Sequence, residues 1–195
     1  FQNAKLLLGE WILKRQKRKD AIPKTIQKLR SDLNLEILPK RIEAFDVSHL
    51  GGKNIVGSMV CFVNTRPKKS EYRKFKIKSV EDNNDFASIQ EIVLRRYTRV
   101  VKESSTLPDL ILIDGGKGQL SAAGSSLKQL GLEHIPIIGL AKRLEEIYVP
   151  GIKDPQSIDK QSPSLILLRK IRDEAHRFAI TFQRQKRNSS LVFSP

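Results

Sequence analysis

The chain has 195 residues, with 36 Lys and Arg against 21 Asp and Glu, and a formal net charge of +15. This length accommodates one domain with a substantial core, and the excess of positive charge favours a polyanionic partner, nucleic acid ahead of a membrane surface. The single cysteine, Cys61, excludes an intrachain disulfide framework and fits a reducing cytosol, while one cysteine and three histidines argue against a structural zinc site. Since no apolar run is long enough to span a bilayer, we expect a cytoplasmic protein with no membrane association.

Residues 1–38 are predicted to form a basic helical appendage ahead of the main domain. A dense run of lysines and arginines lies between residues 14 and 19. Such a run is usually a solvated helix face, and a direct contact with nucleic acid is the alternative. A second short helix is predicted to start near Pro23, and Leu38-Pro39 marks a boundary with the main domain.

From residue 41 the pattern changes to strands. Residues 42–47, 54–63 and 74–78 have strand character, and the short, turn-rich links between them predict an antiparallel meander. A long helix is predicted from Asp85 to Val100, with Asp85 as its N-cap.

The second half of the chain alternates between strands and helices. We predict a strand at 110–113, a helix at 117–130, a strand at 135–141, a loop at 150–163, a final helix at 164–184 and a loose tail at 186–195. Three antiparallel strands followed by helix, strand, helix, strand and helix predict an α/β domain over residues 39–185. Its mixed five-stranded sheet, covered by helices, has the order used by the ribonuclease H-like fold.

The segment 110–119, LILIDGGKGQ, brings a buried strand directly to Asp114. Ligands bind beyond the carboxyl ends of such strands, and the glycines that follow allow a close approach to the backbone. The alternative is an ordinary tight Asp-Gly turn. A Walker A loop is excluded because Gly118, and not Ser or Thr, follows Lys117. Lys117 itself, at a predicted helix start, would suit a phosphate.

Asp46 is an acid inside the first strand, where desolvation of a carboxylate is unfavourable. A hydrogen-bonded structural Asp is the simplest interpretation. In the predicted strand order, however, the first and fourth strands are neighbours, so Asp46 would face Asp114 and the two would repel unless a cation lay between them. His176, on the final helix, could reach over the sheet as a third ligand, although a helical His more often serves packing. Asp85 is more typical of a helix cap than of a ligand and can be both.

Seven segments then carry a resemblance to a known family. They are, in chain order, 42–49 (IEAFDVSH), 72–75 (YRKF), 85–87 (DFA), 95–97 (RRY), 113–120 (IDGGKGQL), 140–146 (LAKRLEE) and 172–180 (RDEAHRFAI). Together they resemble the UvrC family, the nuclease subunit of the bacterial UvrABC nucleotide excision repair system, over about residues 33–184.

The resemblance implies an endonuclease that makes the incision 5′ to a DNA lesion with an Asp-Asp-His triad and a divalent cation, Mg²⁺ or Mn²⁺. By motif, the triad is Asp46, Asp114 and His176, and Asp85 matches a further acidic position. We expect the backbone phosphates to be neutralised by Lys117, Lys142 and Arg177. The chain departs from the family pattern at three positions outside the triad: Ala44, Asn84 and Gln183.

The implied partners are damaged double-stranded DNA and UvrB, with UvrA acting indirectly. Members of the family also carry an N-terminal GIY-YIG nuclease, a UvrB-binding segment and C-terminal helix-hairpin-helix motifs, so this chain is expected to be a fragment. Two other functions stay open: a non-catalytic DNA-binding or scaffolding module on the same fold, and a different ribonuclease H-like enzyme such as a resolvase or an RNA-cutting nuclease.

Overall fold

The structure, a computed structural model, describes residues 22–50, 54–77, 84–142 and 145–191. The predicted first helix, its run of cations and the turn at 51–53 lie outside these residues. The helices are α1 (Lys24–Asp32), α2 (Asp85–Lys102), α3 (Lys117–Gln129) and α4 (Pro163–Leu191), with a short 3-10 turn at Lys69–Glu71. The strands are β1 (Arg41–Leu50), β2 (Asn54–Val63), β3 (Arg66–Pro67), β4 (Arg73–Lys76), β5 (Leu110–Asp114), β6 (Ile137–Leu140) and β7 (Ile147–Tyr148).

All the strands named above belong to one mixed sheet with the order β3-β2-β1-β5-β6-β7, and β4 also pairs with β2. The β1–β2 and β2–β4 pairs are antiparallel, whereas β1–β5 and β5–β6 are parallel. This order confirms the predicted ribonuclease H-like sheet and the predicted adjacency of the first and fourth strands. The strands β3 and β7 were not predicted, because a strand of two residues is too short to show a periodic pattern.

Helices cover both faces of the sheet, which is why β5 is apolar on both sides. Ile42 and Ala44 of β1 pack in a cluster with α1 and α4, whereas Phe45 packs in a second cluster with α2 and α3. Side chains alternate along a strand, so Asp46 lies on the same face as Ala44, toward α4. The helix α1 contributes the fully buried Ile26 and Leu29 to the first cluster, which contains Ile42 and Ala44.

The start of α2 and the end of α1 differ from the prediction. The N-cap of α2 is Asn84, whose side chain accepts hydrogen bonds from the N–H groups of Phe86 and Ala87, and Asp85 is the first helical residue. Asn and Asp cap helices equally well, so the sequence pattern could not separate the two positions. The helix α1 ends at Asp32, ahead of the boundary at Leu38-Pro39.

The predicted loose tail is also wrong in part, because α4 continues to Leu191 and makes residues 186–191 helical. No Gly or Pro occurs between residues 164 and 191, so the sequence contains no strong signal to end the helix. Of the helices in the described part of the chain, none has the length and apolar character needed to cross a membrane.

A buried ion-pair network joins α2 to the sheet. Glu43 of β1 is fully buried and accepts hydrogen bonds from Nε and Nη2 of Arg96 at 3.1 and 2.8 Å. It also accepts from Nη2 of Arg41 at 2.7 Å and from the hydroxyl of Tyr97 at 3.2 Å. A buried carboxylate is tolerated only when it is paired and hydrogen-bonded in this way. The network therefore fixes where α2 crosses β1.

Removing the acid of this network should destabilise the fold strongly. We expect Glu43→Ala to lower the free energy of unfolding by about 3–5 kcal/mol, since it leaves the Arg96 guanidinium buried without its partner. Urea denaturation followed by circular dichroism measures the change. The control is Glu103→Ala, which breaks the exposed Arg99–Glu103 pair and should change stability by less than about 1 kcal/mol. Equal effects of the two substitutions would contradict this account of the network.

Candidate metal centre

Three side chains meet at the carboxyl end of the β1–β5 pair. Asp114 ends β5, and the parallel register that pairs Phe45 with Ile113 places Asp46 alongside it. His176 approaches from α4. One ligand atom from each of the three residues lies within 4.8 Å of the others. The structure therefore brings together the three residues predicted as metal ligands, on two neighbouring strands and one helix.

Asp46 is held by two neighbours. Its Oδ2 accepts a hydrogen bond from the Ser48 hydroxyl at 3.0 Å and lies 3.2 Å from Nδ1 of His176. Both Asp46 and Ser48 are buried, while the imidazole of His176 is partly exposed. Sequence analysis missed Ser48. The available signal was its spacing of two residues from Asp46, which places both side chains on one face of β1.

The second carboxylate has a perturbed acidity. Burial, and after it the charge of Asp46, raise the pKa of Asp114 to about 6, against the opposing influence of Lys142, Arg172 and His176. The Nζ of Lys142 lies 3.9 Å from Oδ2 of Asp114. Two carboxylates in this environment resist being ionised together, and a cation between them removes the repulsion.

The donor set fits a divalent cation. Two carboxylates suit Mg²⁺ and Mn²⁺, and an imidazole nitrogen suits Mn²⁺ better than Mg²⁺. The pKa of Asp114 is raised first by burial and then by the charge of Asp46, and a bound cation would favour the ionised form of both carboxylates.

The residues Glu43, Cys61 and Glu71 form a second group with ligand atoms close together, but this group does not fit a metal. Both carboxylates already accept hydrogen bonds from Arg41, and burial raises the pKa of the Cys61 thiol to about 12, so the thiolate does not form near neutral pH.

The predicted phosphate-binding residues differ in their surroundings. Lys117 is the exposed first residue of α3, and Lys142 is an exposed neighbour of Asp114. Arg177 is exposed on α4 but donates two hydrogen bonds to Glu174, at 2.6 and 2.7 Å, so a phosphate would have to compete with that carboxylate. Asp85, at the start of α2, is not among the ligand groups found within the described residues.

A further cation, Arg172, was not singled out from the sequence. It is buried on α4 one turn before His176 and hydrogen-bonds to Asp173 through Nε and Nη2, while its buried Nη1 has no hydrogen-bond partner. Its charge lowers the pKa of Asp114, against the raising effect of burial. The spacing of four residues from His176 was the available signal, because such residues share one helix face.

Comparison with known proteins identifies similar sequences. A family model described as the UvrC RNAse H endonuclease domain matches residues 30–180. The UvrABC system protein C of Salinibacter ruber is 50% identical over 196 residues, which cover 98% of this chain and 31% of that protein. The UvrABC system protein C of Methanosarcina barkeri is 54% identical over 169 residues, covering 87% of this chain and 32% of that protein. The chain thus spans about a third of the length of these relatives.

Solved structures are similar at a lower level. Ciona intestinalis Endonuclease V, in complex with a 23mer DNA containing an inosine followed by a ribo-adenosine, is 17% identical with a TM-score of 0.49, over 92% of this chain and 98% of that one. The catalytic domain of human Endonuclease V is 16% identical with a TM-score of 0.43, over 98% and 99% of the two chains.

The raised pKa of Asp114 predicts how stability depends on pH without metal. Its pKa is about 6 in the folded chain and 3.8 ordinarily, so its contribution to stability is complete below pH 3.8 and is lost as the pH rises through 6. In EDTA, the free energy of unfolding of Asp114→Asn minus that of the parent should rise between pH 3.8 and 6, by at most about 3 kcal/mol. Above this range the difference should stay constant.

Urea denaturation at pH values from 4 to 8 measures this difference. The control is Asp154→Asn, which alters an exposed acid of the loop after β7 and should leave the pH dependence unchanged. A difference between Asp114→Asn and the parent that stays the same at every pH would contradict the raised pKa.

Proposed function

This chain belongs to the UvrC ribonuclease H endonuclease domain family, and on that premise we propose that it hydrolyses DNA phosphodiester bonds with a divalent metal ion, making the incision 5′ to a lesion. The observation that carries the proposal is that ligand atoms of Asp46, Asp114 and His176 lie within 4.8 Å of one another at the carboxyl end of the β1–β5 pair. Carboxylates from neighbouring strands and an imidazole from a covering helix form a donor set suited to Mg²⁺ or Mn²⁺.

The residues of the chain have distinct tasks in this reaction. A bound Mg²⁺ or Mn²⁺ supplies Lewis acidity toward the phosphate and lowers the pKa of water. Asp46 and Asp114 provide the charged oxygen ligands, and His176 completes the set. The Ser48 hydroxyl holds the Asp46 carboxylate in one orientation through its 3.0 Å hydrogen bond, so that the ligand does not have to reorganise.

Cations around the centre bind the DNA backbone. Lys142 lies beside Asp114 and is placed to neutralise a phosphate near the reacting bond. Lys117 adds its charge at the amino terminus of α3, where the helix dipole also favours an anion. Arg177 binds a phosphate by giving up its hydrogen bonds to Glu174 and donating them to the phosphate instead. Contacts of this kind give salt-dependent binding without sequence preference, which suits an enzyme that is brought to damage by its partners.

The wider assignments follow from family membership and stay proposals. We place the catalytic domain at residues 39–185, with 1–38 as a basic segment ahead of it and 186–195 leading out of it. Asp85 is proposed as a further acidic residue of the site. In the whole protein, damaged duplex DNA is the substrate, UvrB the direct partner and UvrA an indirect one, in the cytoplasm.

Replacing Asp114, one of the two acids of the centre, should nearly abolish incision. The assay follows cutting of a lesion-bearing duplex, nicked in advance on its 3′ side, with UvrA and UvrB supplied and with Mg²⁺, Mn²⁺ or EDTA. Asp114→Asn should lower the incision rate by a factor on the order of a thousand, since it removes a charged metal ligand. Asp154→Asn, which alters an exposed acid far along the chain, should cut like the parent. Normal cutting by Asp114→Asn, or cutting in EDTA, would refute the proposed site.

The role of Lys142 can be tested by salt dependence. Lys142→Gln should weaken DNA binding and reduce the slope of log affinity against log salt concentration by about 1, as expected for the loss of one phosphate contact. Fluorescence anisotropy in EDTA measures binding without cutting. The control, Lys102→Gln, removes an exposed charge at the other end of α2 from Asp85 and should leave the slope unchanged. Equal slopes for Lys142→Gln and the parent would show that Lys142 does not contact a DNA phosphate.

A further inference from the structure

Phe86 is an exposed aromatic residue close to the candidate metal centre. It lies in the first turn of α2, and 51% of it is exposed, whereas the other large exposed apolar residues in the described part of the chain are aliphatic. It belongs to neither hydrophobic core cluster. Exposure of a Phe ring to water is unfavourable, and this ring contributes little to the packing of the core.

Gly118 provides the surface on which the ring lies. A Cβ at Gly118 would come within 2.4 Å of Cε1, 2.8 Å of Cζ and 3.1 Å of Cδ1 of Phe86. One edge of the ring therefore packs directly over the α3 backbone, and the rest faces solvent. Gly in a helix is less favourable than Ala by roughly 0.5–1 kcal/mol, and at this position it is the residue that accommodates the ring.

The Phe86 ring lies a short distance from the candidate metal centre, because it contacts Gly118. Gly118 follows Asp114 by four residues, a length of chain that reaches at most about 14 Å. Since successive nucleotides of one strand lie 3.4 Å apart along a duplex axis, this distance corresponds to about four nucleotides. The contact between Phe86 and Gly118 brings the first turn of α2 to the first turn of α3, beside Lys117. Lys117 and the amino terminus of α3 favour a phosphate there, whereas Asp85 in the first turn of α2 does not.

We propose that Phe86, supported by Gly118, is a stacking platform for one base of the DNA strand, within about four nucleotides of the bond that is cut. This inference rests on the proposed function, because it takes the ligand to be DNA. Aromatic rings stack on bases of any sequence, which fits an enzyme that binds without sequence preference. The platform would hold one nucleotide out of the base stack while the neighbouring phosphate lies at the carboxylates.

The test uses a duplex with a four-nucleotide single-stranded gap that contains one 2-aminopurine, bound by the chain in EDTA at fixed salt so that no cutting occurs. With the parent, 2-aminopurine emission should rise as the base leaves its neighbours and stacks on Phe86. Phe86→Ala and Phe86→Leu should lose this rise and bind roughly five- to hundredfold more weakly, whereas Phe86→Trp should keep tight binding. The thermal unfolding midpoint of Phe86→Ala should match the parent. Tight binding with the full emission rise in Phe86→Leu would overturn the proposal.

Gly118→Ala is a second, independent variant. The added methyl group must push the ring aside, which a flexible side chain permits, so the unfolding midpoint should stay the same or rise while the emission change and the tight binding are lost. Combining it with Phe86→Ala should weaken binding no further than Phe86→Ala alone, since both changes remove the same contact. A further loss in the double variant would mean that Gly118 contacts DNA itself, and would overturn its role as the support.

The failure of the stacking proposal and the failure of the proposed reaction can be distinguished by experiment. The emission experiment needs no metal and no cutting, whereas the incision assay with Asp114→Asn does not depend on Phe86. Metal-dependent incision without an emission change would refute only the platform. An emission change that is lost in Phe86→Ala, in a protein that does not cut, would refute only the proposed reaction.

Discussion

The electrostatic repulsion between two neighbouring carboxylates, Asp46 and Asp114, is the constraint on which the rest of this site depends. Asp46 and Asp114 lie side by side because β1 and β5 are neighbouring parallel strands; Asp46 is buried and Asp114 is partly buried at the end of its strand. The protein tolerates this arrangement by protonating Asp114 near pH 6, or by placing a cation between the carboxylates. A cation bound between the two carboxylates would remove the repulsion that makes their joint ionisation unfavourable.

The scaffold keeps its own buried charges apart from that site. Glu43 lies on the opposite face of β1 from Asp46, where Arg96, Arg41 and Tyr97 satisfy its oxygens. That network anchors α2, and with it the exposed Phe86, to the sheet. Asp46 is instead held by a single hydroxyl and faces an imidazole, so it keeps the capacity to bind an ion. One strand thus carries a structural acid and a candidate metal ligand, separated by the alternation of its side chains.

Much of this arrangement could be predicted from the sequence. An acid inside an apolar strand and another at the end of a buried strand are both unusual, and the order of strands and helices implied that the two would meet. Features that depend on tertiary contacts could not be predicted. The hydrogen bond from Ser48, the pairing of Arg177 with Glu174, and the burial of Arg172 follow from how α4 lies on the sheet. The choice of Asn84 over Asp85 as N-cap is a one-residue difference that propensity does not resolve.

The central claim is that Asp46, Asp114 and His176 bind one divalent ion, and anomalous X-ray scattering from crystals soaked in Mn²⁺ near pH 7.5 tests it most directly. The account predicts a manganese peak bonded to oxygens of both carboxylates and to a nitrogen of His176, and no such peak in Asp114→Asn crystals. A peak elsewhere on the protein, or the same peak in Asp114→Asn crystals, would contradict it.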